Sequence, residues 1–146
     1  KAGRSAAEAC AGTPEPPDEY LFHAASSGNV PEVLSTLQEA MFRNAMVIRG
    51  EEGLSAALGT VERLSADLSL CPSADVRAIA QTRRLTGRLH TAEAILKAAL
   101  LRRESRGAHY RADYPEADPA QSSPIIVSQD SGAIRARFTK EDVPCS

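Results

Sequence analysis

The chain has no tryptophan, and aromatic residues make up only 4% of its 146 positions. Its 42% apolar content therefore leans on alanine, which buries little area per residue, so the core is expected to be thin and built from helix stripes. Excess positive charge is also missing. A net charge of -2 creates no domain-wide field to collect phosphates, which argues against a polyanion-binding surface. Cys10, Cys71 and Cys145 are odd in number, widely scattered and without CxxC spacing. That pattern suits reduced cytosolic thiols better than a disulfide frame or a zinc site. No apolar run approaches the ~18 residues of a membrane span, and no signal peptide is visible, so a cytoplasmic protein is expected. A Gly-rich phosphate loop, HExxH and GxSxG are all absent. The histidines lie far apart: His23 reads as a surface or packing residue, and His90 as a polar contact beside Arg83, Arg84 and Arg88. The basic run Arg83, Arg84, Arg88 and Lys97 has no aromatic platform, so it reads as a solvated helix face rather than a nucleic-acid surface.

What the chain does have is helical periodicity. Its length suits one domain, and its first residue, Lys1 rather than Met, suggests a truncated or processed fragment. Residues 1–11 favour helix but offer nothing bulky to bury, so they read as the end of an element whose partner is elsewhere, or as a frayed terminus. The prolines between Gly12 and Glu19 mark a linker, expected over residues 12–28. Asn29 can cap a helix with Pro31 and Glu32 in its first turn. Its stripe would be Val30, Leu34, Leu37, Met41, Ala45 and Ile48, with Arg49 in the last turn and Gly50 ending it. The short link 50–53 then leads into a second, antiparallel helix carrying Leu54, Leu58, Val61, Leu64 and Leu68. After Leu70-Cys71-Pro72, Ser73 is placed to cap a third helix of about 30 residues, about 45 Å long. Its stripe is Ala78, Thr82, Leu85, Leu89, Ala92, Leu96 and Ala99. Gly87 lies in its interior at a cost of about 1 kcal/mol, so a close helix approach is expected there. Beyond Pro115 the period falls to two: Pro124–Ser128 and Ala133–Phe138 read as strands around an Asp130-Ser131-Gly132 turn. The expected fold is mainly α: an up-down-up three-helix bundle within residues 29–118, with a β-hairpin or extended tail over 119–146.

The densest chemistry falls where the third helix ends. Arg102, Arg103, Arg106 and Arg111 alternate there with Glu104, Asp113, Glu116 and Asp118, around His109, Tyr110 and Tyr114. Gly107 permits a positive backbone angle, expected to end the helix just after Arg106. Two readings stay open on these residues alone: a functional site, or a salt-bridged helix exit packed by the tyrosines.

The segment Glu104-Ser-Arg-Gly-Ala-His-Tyr-Arg-Ala-Asp-Tyr-Pro115 resembles the C-terminal signature of a flavoprotein family. The family comprises the flavoprotein subunits of succinate dehydrogenase and fumarate reductase, together with L-aspartate oxidase. Leu37–Met41, Val47–Leu54 and Ala92–Arg103 are similar to helices of the same domain, and Gly3–Glu8 to the close of the preceding FAD-binding domain. The absence of Trp and the short hairpin lean towards L-aspartate oxidase or a soluble fumarate-reductase-like relative. The resemblance implies a helical domain packed on the FAD-binding and capping domains of one protein that acts on a dicarboxylate. An iron–sulfur subunit is a less favoured partner. FAD is expected in the parent enzyme and none on this fragment, since the flavin, substrate and proton-shuttle motifs of the family are absent. Arg106, His109, Arg111 and Asp113 are expected to serve a domain interface or the helix end, with no catalytic, cofactor or metal role. The competing expectation is a free-standing helical adaptor that binds protein partners.

Overall fold

The computed structural model describes residues 22–25, 30–68, 70–73 and 75–139. The expectations for residues 1–11, for the linker as far as residue 21, for the Asn29 cap and for the tail from residue 140 lie outside them. The described chain is mainly α. Helix α1 is Val30–Asn44, α2 is Glu51–Ala66 and α3 is Val76–Leu101. Three short strand pairs join them: β1 (Phe22–Ala25) antiparallel to β3 (Leu70–Ser73), β2 (Ile48–Arg49) parallel to β4 (Tyr110–Arg111), and β5 (Ile125–Asp130) antiparallel to β6 (Ala133–Phe138).

The core follows the helix stripes. Leu85, Leu89, Ala92, Leu96 and Ala99 of α3 meet Leu54, Ala57 and Val61 of α2, with Leu37 of α1 and Ala45 just beyond its end completing the cluster. Each fully buried leucine contributes about 1.5–3 kcal/mol. α2 packs on both other helices, while α1 touches α3 more sparsely.

Four local expectations are corrected. First, α1 stops at Asn44, where the Asn44 side-chain amide donates to Ala40 O at 3.0 Å. The periodic pattern through Ile48 and Arg49 instead becomes strand β2, because the Arg49 carbonyl accepts Ala112 N at 2.8 Å. A tertiary pairing thus overrides local periodicity. Second, Gly50 is the residue before α2, in extended backbone (φ -147°), and Glu51, Glu52 and Gly53 form its first turn rather than a link. A Cβ on Gly53 would sit 3.0 Å from Asn44 Oδ1, so glycine permits the close junction of α1 and α2. Third, the cap of α3 is Asp75, whose Oδ1 accepts Arg77 N at 2.8 Å, while Ser73 belongs to β3. The partner of β3, strand β1, lies within the stretch read as linker. Fourth, α3 runs 26 residues and ends at Leu101, so Gly107 does not terminate it. No described atom lies within 4 Å of where a Cβ on Gly87 would stand, so the close approach expected there is not made within the described residues.

The closing hairpin does dock. Ser131 and Gly132 both take positive φ, 50° and 86°, the geometry that lets a two-residue turn follow the strand twist. Ile134 is buried, and its carbonyl accepts Lys97 Nζ of α3 at 3.1 Å, while Lys97 also pairs with Glu93 at 2.6 Å.

Candidate functional site: the exit of the third helix

Beyond Leu101 the chain folds into two compact turns held by side chains. Arg106 N donates to His109 O at 2.8 Å and His109 N to Arg106 O at 3.0 Å, closing a tight turn in which Gly107 takes φ +59°. The positive angle expected at Gly107 therefore serves this turn. Ser105 Oγ receives Arg111 N at 2.9 Å and donates to Tyr114 O at 2.8 Å, fixing the next turn.

Two carboxylates organise the charges. Glu104 is fully buried. Its oxygens accept Arg102 Nη1, Arg106 Nε and Nη2 at 2.9 and 3.0 Å, and the backbone N–H of Asp118 at 2.8 Å. The Arg106 bonds above all, with those from Asp118 and Arg102, outweigh burial and lower the Glu104 pKa from 4.5 to about 2. Arg102 also donates to the carbonyls of Gln121 and Ser123 at 2.6 and 2.9 Å and lies over the Phe138 ring, tying the hairpin to the helix exit.

Asp113 forms the second centre. Arg111, wholly buried, grips it in a fork, Nε to Oδ1 at 2.7 Å and Nη2 to Oδ2 at 2.6 Å. The free arm of the same guanidinium donates to Ala99 O at 2.9 Å in the last turn of α3. Asp113 Oδ2 in turn accepts Glu51 N at 2.9 Å, the first N–H of α2. One ion pair therefore places a cation on the negative end of α3 and an anion on the positive end of α2. The Arg111 guanidinium holds the Asp113 carboxyl well below the usual carboxylate range, against the opposing effect of burial.

His109 joins this array to the β2 segment. Arg49 Nη1 donates to its Nδ1 at 2.9 Å, and Nε2 lies 3.3 Å from Arg102 O. Arginine only donates, so Nδ1 is the acceptor and Nε2 carries the proton of a neutral ring. Burial pushes the imidazole below its usual value, opposed by the Arg102 carbonyl bond, and the guanidiniums of Arg49, Arg111 and Arg102 push it down further.

The structure thus brings Arg106, His109, Arg111 and Asp113 into one region. Tyr114 packs under Arg111, whose guanidinium carbon lies 5.1 Å from the ring centre, while Tyr110 is 42% exposed. Sequence reasoning missed Arg49, taken as a helix-end residue, along with Glu51 and Gln121. Arg49 and Glu51 stood in the right segment but were read as helix-end and link residues, and nothing near Gln121 in the sequence signals that it takes Arg103 N at 2.9 Å. Chemically the cluster is spent inward. No buried side-chain N or O among the described residues lacks a hydrogen-bond partner, and no group of three or more His, Cys, Asp or Glu that could hold a metal occurs among them. At the helix starts, Glu51 N of α2 is met by the carboxylate of Asp113 and Arg77 N of α3 by that of Asp75.

Residues 34–144 match the family described as fumarate reductase flavoprotein C-term. The chain belongs to this family. Among longer flavoproteins, it is 39% identical over 109 residues to the L-aspartate oxidase of Rhodospirillum rubrum, covering 75% of this chain and 34% of that protein. It is 39% identical over 97 residues to the L-aspartate oxidase of Pyrococcus furiosus, covering 66% of this chain and 16% of that protein. The chain thus spans about a third or less of the curated relatives it matches. In fold, it superposes on FrdA of E. coli quinol fumarate reductase with a TM-score of 0.71 and 19% identity, over 98% of this chain and 25% of that one. The fumarate reductase flavoprotein C-terminal fold is therefore present, with its turn-rich helix exit lying inside the matched residues. No helix among the described residues is long and apolar enough to cross a membrane.

Proposed function

We propose that this chain is the structural C-terminal domain of an FAD-dependent oxidoreductase acting on a dicarboxylate, L-aspartate or the succinate/fumarate pair. In this reading residues 1–11 close the preceding FAD-binding domain, residues 29–118 form an up-down-up bundle, and the enzyme is cytoplasmic. The observation that carries the structural role is the inward commitment of the charges: Glu104, Arg111 and Asp113 bond to helix ends and turns, leaving no free acid, base or anion site among them. Arg106 and His109 then present their turn to the FAD-binding and capping domains, with Arg111 and Asp113 bracing it from behind. The L-aspartate oxidase relatives support the choice of substrate class.

The test uses the longer polypeptide and the 146-residue chain side by side. The longer protein is expected to purify with FAD and to lose its flavin absorbance when a dicarboxylate is added without oxygen. The chain alone is expected to bind no FAD and to turn over nothing. A yellow, active preparation of the chain alone would overturn the reading. The adaptor alternative requires a start codon just before Lys1, and an upstream reading frame with a Gly-x-Gly-x-x-Gly segment excludes it.

A further inference from the structure

Of the arginines gathered at the helix exit, Arg102, Arg106 and Arg111 each hold a carboxylate, whereas Arg49 holds none among the described residues. Arg49 is half-buried, and its bonds go to neutral acceptors: Nε donates to Ala45 O at 3.0 Å and Nη1 to His109 Nδ1 at 2.9 Å. Its Nη2 has no partner among the described residues. Arg49, Arg102 and His109 line a cavity of about 310 Å³ whose other walls are apolar, chiefly Ile95, Ala98 and Ile125, and no acidic residue lines it. A cation taken partly out of water without a counter-charge is unfavourable, and a neutral imidazole nitrogen answers it only with a dipole. The bond between Arg49 and His109 also lasts only while the ring is neutral. On protonation Nδ1 becomes a donor, and the imidazolium then faces the guanidiniums of Arg49 from β2, Arg102 from the end of α3 and Arg111 from β4. The nearby carboxylates are already engaged, Glu104 by Arg102 and Arg106 and Asp113 by Arg111, and β5 contributes only Ile125 to the cavity.

From this arrangement we infer that the Arg49–His109 cavity is a proton-linked binding site for a small monocarboxylate. The carboxylate takes Nη1 and Nη2 of Arg49 in a fork, and the protonated His109 donates to it from Nδ1. A short alkyl body lies against Ile95, Ala98 and Ile125, in keeping with sites that are mostly apolar and hold a few placed polar groups. Inorganic phosphate has no apolar portion and gains nothing from those walls. The site stands apart from the dicarboxylate chemistry assigned to the longer protein and does not depend on it.

The test follows the His109 Cε1–H signal of the full 146-residue chain by NMR, assigned by its loss in His109→Gln, as pH is varied with and without sodium propionate. An anion that prefers the protonated ring raises the His109 titration midpoint, and by reciprocity propionate binds several-fold more tightly in mildly acidic than in mildly alkaline buffer. Propionamide and inorganic phosphate, at equal ionic strength, are expected to leave the midpoint in place; this comparison needs no variant. Arg49→Gln is expected to abolish the propionate response, and Arg49→Lys, which keeps the charge, to retain part of it. In the longer protein, propionate is expected to slow the modification of Arg49 by phenylglyoxal several-fold, as read by mass spectrometry. An unmoved midpoint with propionate, an equal response to propionamide or phosphate, or a full response in Arg49→Gln overturns the inference. Equal modification of Arg49 with and without propionate in the longer protein also overturns it, since the cavity is then closed or filled by the polypeptide itself.

Discussion

Glu104 shows how a single buried charge can be tolerated in a thin core. Removing an ionised carboxylate from water is expensive unless each lone pair finds a donor, and here two guanidiniums and a backbone N–H supply them. The balance is asymmetric. Glu104→Ala leaves Arg102 inside without its counter-charge and is expected to destabilise the chain by about 3–5 kcal/mol, seen as a lower urea midpoint. The pH dependence follows from the same bonds. The folded pKa, about 2, lies below the ordinary 4.5, so the contribution is fully present above pH 4.5 and is lost as pH falls towards 2. Glu104→Gln should flatten the acid limb of a stability-against-pH curve in that window; an unchanged limb refutes the assignment. His109 acts in the same direction at higher pH. Its folded pKa is depressed, so the unfolded chain takes up the proton first, and stability declines as pH drops below the ordinary value of 6.5. His109→Gln should remove that decline, as read from thermal midpoints measured between neutral and mildly acidic buffer.

Between the elements, the pair Arg111–Asp113 does what a local capping residue does for one helix, but for two at once. Gly50 offers α2 no side-chain cap, and Asp113, far along the chain, supplies it. Because the two residues share the bond and serve different helix ends, their substitutions should be strongly non-additive. Asp113→Ala strands the buried Arg111 and is expected to cost about 3–5 kcal/mol, with the double Ala variant costing much less than the sum of the singles. A double-mutant cycle by chemical unfolding measures this directly, and additive losses would contradict the shared role. This arrangement also marks what was legible in the sequence. The stripes of α2 and α3 could be read because their burial is local and periodic: Leu85, Leu89, Leu96 and Ala99 were all on the expected face and are all buried. The β5–β6 hairpin was legible for the same reason, since alternation and turn chemistry are short-range. The end of α1 was not, because Arg49 is drawn into β2 by the backbone of Ala112, a partner no local pattern announces. The motif region was legible as a specified loop, yet which charge meets which depended on turns set by Ser105 and Gly107.

At the scale of the whole molecule, the described residues divide into a side that is complete and a side that is not. On the α2 side Leu54, Ala57 and Val61 are buried, and Asp113 meets the first N–H of the helix. On the α1–α3 side Phe42, Met46, Val47, Ile48 and Ile95 remain exposed, beside the turn that holds His109. Under the scaffold role proposed above, the domain stabilises its own exit loop to present a fixed surface, and its charges act on an attached catalytic unit through position rather than through chemistry. The consequence can be separated from a catalytic role by splitting stability from turnover. In the longer protein, Asp113→Asn keeps the shape of the side chain but loses the charge at the start of α2. The thermal midpoint of the variant should fall by several degrees, on the order expected for a loss of 1–2 kcal/mol. The rate of dicarboxylate-dependent flavin reduction per bound FAD, measured well below that midpoint, should stay within about two-fold of the parent. A residue that bonds substrate or positions flavin would give the reverse, a large loss in kcat/KM with little change in midpoint. That outcome would move the helix exit from scaffold to active site.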